Sequence, residues 1–266
     1  MQVFWAKVFI LPKRVIHLIE QKLKRFLWSG RYSKAHAKVA WSKVCLPKRE
    51  GGLGIKSIAV WNQASMLNHI WNLFSKAGSL WVAWTKANWL NGRNFWTIPI
   101  PTSCSWSWKK ILKLRDIAKS FIQFKVGNGS KVFLWLGHWH PAGYLLDNFD
   151  YRIVHDSGFS LHSKLDVIIK NGDWFWPHAR SDGLVEVQSK LHTVDIGDSD
   201  ELVWNSRSGI YKCSDTWDKL REVHPIVRWW KIVWSPTSIL RHSFILWLVF
   251  RDALVIKQRM SGCGYT

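Results

Sequence analysis

"FIQFKVGNGSKVFLW", residues 121–135, is the stretch on which the reading of this chain turns. Apolar and polar residues alternate along it with period two, the pattern of a strand with one face buried and one wet. Gly127-Asn128-Gly129 falls at its middle, where a tight hairpin turn needs positive φ. The expectation is a β-hairpin. It separates a helical first half from a mixed second half, which makes the chain α+β.

Upstream, "LPKRVIHLIEQKLKRFLWSG" (11–30) has Pro12 in its first turn and Gly30 at its end, with Val15, Leu18, Ile19, Leu23 and Phe26 at helical spacing. That leaves Lys13, Arg14, Lys22, Lys24 and Arg25 for the opposite face. "KVAWSKVCL" (38–46) reads as a short strand. A second helix follows from Ser57, and further helices are expected over 79–90 and 105–119, the last carrying Lys109, Lys110, Lys113 and Arg115. Downstream, elements are short to about residue 200. "ELVWNSRSGIYKC" (201–213) reads as a second hairpin turning at Ser208-Gly209, and helices over 214–222 and 239–256 close the chain. "FILWLVF" (244–250) is too short to span a bilayer and reads as a buried helix.

"CLPKREGGLGIKS" (45–57) raises the question of phosphate binding. A Walker loop needs Gly-Lys-Ser/Thr, and Gly54 precedes Ile55. A dinucleotide fingerprint needs a third glycine where Ser57 stands, and an acidic residue some 20 positions on; none occurs between Glu50 and Asp116. What remains is a turn fixed by Pro47 and freed by its glycines, with Ser57 placed to cap the next helix.

Charge is uneven along the chain. Residues 1–135 hold 23 Lys and Arg against Glu20, Glu50 and Asp116, whereas residues 136–266 hold 15 basic and 15 acidic residues. The whole net charge of +20 therefore resides in the first half. So lopsided a balance points to a polyanion, nucleic acid before an acidic membrane surface. The 21 tryptophans are far more than this length needs for a core, and indoles also offer flat faces for bases or partners. Cys45, Cys104, Cys213 and Cys263 form no Cys-x-x-Cys pair, so a disulfide framework is not expected and a reducing, intracellular compartment is the default. No signal peptide and no membrane partner are expected.

Little else resembles chemistry. His138 and His140 face one side of a strand, as two metal ligands would, but no third ligand is near, and an aromatic corner is the simpler reading. Asp195, Asp198, Asp200 and Glu201 lack EF-hand spacing and read as a solvated loop. Asp215 and Asp218 read as salt-bridged helix surface. There is no Gly-x-Ser-x-Gly, no His-Glu-x-x-His and no Tyr-x-Asp-Asp, so the residues describe a non-enzyme.

Five ordered stretches, "VFILPKRVIHLIEQKLKRFLWSG" (8–30), "KVAWSKVCLPKREGGLGIKSIAVWNQASMLNHIWNL" (38–73), "SLWVAWTKANWL" (79–90), "FKVGNGSKVFLWLGHWHPAG" (124–143) and "RHSFILWLVFRDAL" (241–254), together carry a resemblance. They resemble the C-terminal region of plant LINE-type (non-LTR) retrotransposon reverse transcriptases. The resemblance implies that residues 1–119 are the basic helical region following a polymerase palm that would lie before Met1. The change of period gives a β-rich middle region over 120–200, and the resemblance implies the first part of a reverse-transcriptase zinc-binding domain over 201–266. It gives the glycines at 51–54 no nucleotide-phosphate role. The family's Cys-x-x-Cys and later His and Cys fall beyond "MSGCGYT", so no cofactor is expected here and zinc only in a full-length member. The resulting expectation is an internal piece of a polyprotein, without the catalytic palm, that binds RNA or an RNA–DNA duplex. The alternative is a protein-interaction or structural remnant with no nucleic-acid role.

Overall fold

In the computed structural model, residues 8–29, 37–75 and 78–254 are described. Along the chain come α1 (Lys13–Ser29), α2 (Trp41–Val44), α3 (Ile58–Phe74) and α4 (Leu80–Thr85), which runs on as a π-helix over Lys86–Leu90. Next are α5 (Trp106–Leu112), α6 (Arg115–Lys119), β1 (Ile122–Lys125), β2 (His138–His140), β3 (Gly143–Tyr144), α7 (Leu145–Asn148) and α8 (Arg152–Ser157). β4 (Ile169–Lys170), β5 (Asp173–Trp174), α9 (Asp182–Ser189), β6 (Glu201–Trp204), α10 (Cys213–Leu220), α11 (Trp230–Val233) and α12 (Leu240–Phe250) complete it. Among the described residues helix outweighs strand, 47% against 9%, and the chain is α+β, as expected. It divides into two compact units, one built from Met1–Ser65 with Trp217–Thr266 and the other from Met66–Thr216.

The first unit has a core of Val39, Val44, Val233, Trp247 and Leu248, against which Leu27 and Trp28 of α1 pack. Trp28 stacks on Trp247 at 6.5 Å between ring centroids. That contact sets the rotation of α1. Its half-buried stripe is Ile16, Ile19, Leu23 and Leu27, while Val15, Leu18 and Phe26, expected inside, are exposed. The turn at 51–54 carries structural weight across the whole unit. Gly51 and Gly54 adopt φ of +84° and +77°, and a Cβ on Gly52 would lie 1.9 Å from the Leu46 carbonyl oxygen. The Gly51 carbonyl accepts bonds from Trp247 Nε1 (2.8 Å) and Arg251 Nε (2.9 Å), nearly 200 residues away. Beside it Glu50, 3% exposed, receives both terminal nitrogens of Arg221 at 2.6 and 2.7 Å and the His224 backbone N–H at 3.1 Å. Burial works against ionisation of Glu50, but these donors outweigh it and hold its carboxyl below the usual range. The glycine run is thus a docking point for the C-terminal segments of its own unit.

The strand expected over 38–46 is instead the single helical turn α2, because Val44 and Cys45 N–H bond back to Ala40 and Trp41. α12 is also less enclosed than expected. Trp247 and Leu248 are buried, but Ile245, Leu246, Val249 and Phe250 remain exposed.

The second unit packs Val132, Leu134, Trp135, Leu145, Leu165, Ile168 and Val187 at its centre. The hairpin expected within 121–135 does not form. β1 pairs antiparallel with β6, Ile122 opposite Trp204 and Lys125 opposite Glu201. Further on, Leu134 N–H bonds to Ser163 and Leu165 N–H to Val132. The cause is Asp200, 8% exposed. Its Oδ1 accepts from Gly127 N–H (2.8 Å) and Gly129 N–H (2.9 Å), and its Oδ2 from Lys131 N–H (2.8 Å). The glycine turn wraps a carboxylate instead of reversing a ribbon. Asp200 is therefore a buried organiser, not the solvated loop residue expected. The second expected hairpin is reduced to a closed turn, Trp204 N–H to Gly209 at 2.7 Å, with no strand after it.

Candidate nucleic-acid interface

The two expected basic faces lie in different units. On α1, Lys13, Arg14, Lys22 and Arg25 are exposed, and Lys24 is half-buried with its ammonium 5.9 Å from the Trp41 ring centroid. On α5, Lys109 is exposed and Lys110 lies 5.4 Å from the Trp106 ring, while Lys113 is exposed just past the helix end.

Arg115 is placed differently. The helix expected over 105–119 breaks into α5 and α6, and Arg115 opens the second piece. Its Nη1 donates to the carbonyls of Phe95 (3.1 Å), Trp96 (3.2 Å) and Ile98 (2.7 Å), and its Nε to Leu112 (2.9 Å). Burial draws its pKa below the usual guanidinium value, against the pull of Asp116. Four carbonyls hold this fork in place, leaving it to knit the loop before α5 to the gap after it.

The histidines resolve as an aromatic corner. His140, 2% exposed, accepts from Ala142 N–H at Nδ1 (3.1 Å) and so donates from Nε2 to the Val187 carbonyl (3.1 Å). Both nitrogens are used, which excludes it as a ligand in this conformation, and burial depresses its pKa. The His138 ring meets Tyr144 at 5.3 Å. His138 and His140 edge an open cleft of about 740 Å³ with Lys125, Asp195, Asp198 and Glu201.

Residues 211–266 match the family described as zinc-binding in reverse transcriptase. An Arabidopsis thaliana protein named "Putative ribonuclease H protein" is 26% identical, over 97% of this chain and 43% of that protein. An uncharacterized mitochondrial protein of the same plant is 23% identical, over 52% of this chain and 90% of its own length. No solved structure matches the chain significantly. The resemblance to the C-terminal region of plant retrotransposon reverse transcriptases holds. The chain spans less than half the length of the first of these relatives.

The zinc implied by that family can be tested against the residues present. Among the described residues, no three of His, Cys, Asp and Glu converge on a point. Cys213 begins α10, bonded to the Tyr211 side chain, and Cys263 lies outside the described residues. The described residues do not fit a zinc site. Nor is any helix among them long and apolar enough to cross a membrane.

What the sequence missed is the aromatic layout. Trp135, Trp204 and Trp247 are fully buried, while Trp84 and Trp106 keep 53% and 44% of their surface exposed. Residue type alone does not sort them, since Trp106 is exposed and Trp108 buried on the same short helix.

Proposed function

We propose that this chain is a non-catalytic nucleic-acid-binding region of a reverse transcriptase. It grips an RNA template or RNA–DNA duplex through phosphates, with Lys13, Arg14, Lys22 and Arg25 on α1 and Lys109 and Lys113 at α5. One observation carries the reading: these cations stand exposed in a half-chain with 23 Lys and Arg and three carboxylates. Arg115, held by four carbonyls, is not part of the grip. Contacts of this kind fix register on a backbone without reading sequence.

The protein-interaction alternative is favoured by the apolar row Ile245, Leu246, Val249 and Phe250 left exposed on α12. Salt separates the two. Counterion release lowers log K by about 0.9 per contacted phosphate for each unit of log salt on a duplex. With about four of the six cations engaged, titration of the full chain onto a labelled duplex should give a slope of about −4. Replacing Lys109 and Lys113 by Glu should flatten the slope and weaken binding alike for all sequences. Binding that does not respond to salt overturns the proposal and leaves the α12 reading.

A further inference from the structure

Trp84 is the outermost member of a row of rings. Trp89 meets it edge-on at 6.1 Å and 74°, then stacks on Trp108 at 6.2 Å and 23°. Trp108 is 3% exposed and packs against Phe95 at 6.1 Å. The row is thus anchored in packed interior at one end and open to water at the other. An indole held so has little rotamer freedom left to lose when a ligand arrives.

Two further features single out this position. Trp84 lies in the last α turn before the π-helix over Lys86–Leu90. Widened turns of that kind are rare and concentrate at functional sites. Its surroundings in sequence also lack acid: no Asp or Glu occurs between Glu50 and Asp116, while Lys86 and Arg93 stand exposed close by in the chain. Among the described residues the other exposed indole is Trp106, which differs because the Lys110 ammonium covers its ring.

We propose that Trp84 is a stacking platform for an unpaired base of single-stranded nucleic acid. The inference rests on the nucleic-acid reading above and adds a substrate class to it. A duplex hides the faces of its bases, whereas a single strand offers every base as a π-surface next to a phosphate. An exposed ring in a carboxylate-free, basic segment suits that pairing, because the cations draw in the backbone and the ring takes the base. The contact reads no sequence, since all four bases have such a face.

The test compares the full chain with Trp84→Ala, Trp84→Leu and Trp84→Phe, using labelled oligo-dT, oligo-rU and a blunt duplex of equal length. A base–aromatic stack corresponds to roughly a 5- to 100-fold change in affinity. Trp84→Ala and Trp84→Leu should weaken single-strand binding by about ten-fold or more, with the duplex within two-fold and the salt slope unchanged. Trp84→Phe should recover most of the loss, which a merely packing role would not predict over Leu. Equal loss on duplex and single strand, no loss on either, or recovery by Leu as good as by Phe overturns the stacking assignment. Where the parent chain binds all probes with a steep salt response, such a result leaves the phosphate grip standing. A parent chain that binds no probe removes both readings.

Discussion

Removing the Asp200 carboxylate tests the account of the second unit most directly. In Asp200→Ala, the N–H groups of Gly127, Gly129 and Lys131 lose their acceptor together. A buried donor left without a partner costs about 1–3 kcal/mol. Gly127 and Gly129 are buried while Lys131 is exposed and can turn to water, so the total should be about 3–5 kcal/mol. That is a large share of the roughly 5–15 kcal/mol that holds a domain together. Asp200→Asn makes a finer cut. Its one carbonyl oxygen can still take the two bonds that Oδ1 accepts, but its NH₂ then confronts the Lys131 N–H, at about 1–2 kcal/mol. Native-state hydrogen exchange reads this residue by residue. In the Ala variant, exchange at Gly127 and Gly129 should quicken by about a hundred-fold or more, the equivalent of about 3 kcal/mol. In the Asn variant the change should centre on Lys131. Equal effects of the two substitutions, or unchanged exchange in the Ala variant, would refute the idea that this carboxylate holds the turn.

Two more outcomes follow from the first unit and the histidine corner. Gly52→Ala should lower the stability of the first unit by several kcal/mol in denaturant titration, since its methyl would sit 1.9 Å from the Leu46 oxygen, a backbone atom; a midpoint within error of the parent would contradict the turn geometry. Stability should also fall in two stages on acidification. His140 has a depressed pKa, so the stability it contributes is full above its ordinary value of 6.5 and is lost below it as the unfolded chain takes up the proton. Glu50, likewise depressed, keeps its contribution down to about 4.5 and loses it at lower pH. Burial depresses His138 as well, so His140→Gln should shrink the first stage, leaving the share of His138, and spare the second.

What the sequence reveals here depends on how far apart the interacting residues lie. α1 is legible because its 3.6-residue period is a local property, although its rotation depends on Trp28 meeting Trp247. The positive φ at Gly51 and Gly54 is likewise legible from glycine and proline. The use to which Gly51 is put is not, because its partners Trp247 and Arg251 lie nearly 200 positions on. The hairpin over 121–135 is misread for the same reason. Its turn chemistry is sound, but a carboxylate 69 to 73 residues away takes the N–H groups and β6 takes the strand. Among the candidate site residues, Lys and Arg counts cannot separate Lys109, which faces water, from Arg115, which faces four carbonyls. A lysine has no fork to be captured so, and residue type is the only hint available.

The first unit combines two segments separated in sequence by the whole of the second, so translation delivers its parts at different times. Residues 8–65 leave the ribosome well before Trp247, Arg221 and Arg251, the groups that complete their core and occupy the Gly51 and Glu50 acceptors. Roughly 150 residues intervene. At about 5–20 residues per second, translation leaves the amphipathic α1 and its exposed apolar side chains waiting on the order of ten to thirty seconds. The second unit, by contrast, is continuous and can close as soon as it emerges. Synthesis therefore sets an order, with the second unit able to mature before the first. During that interval residues 8–65 lack the partners that complete their core, and transiently exposed apolar surface of that kind is prone to aggregate.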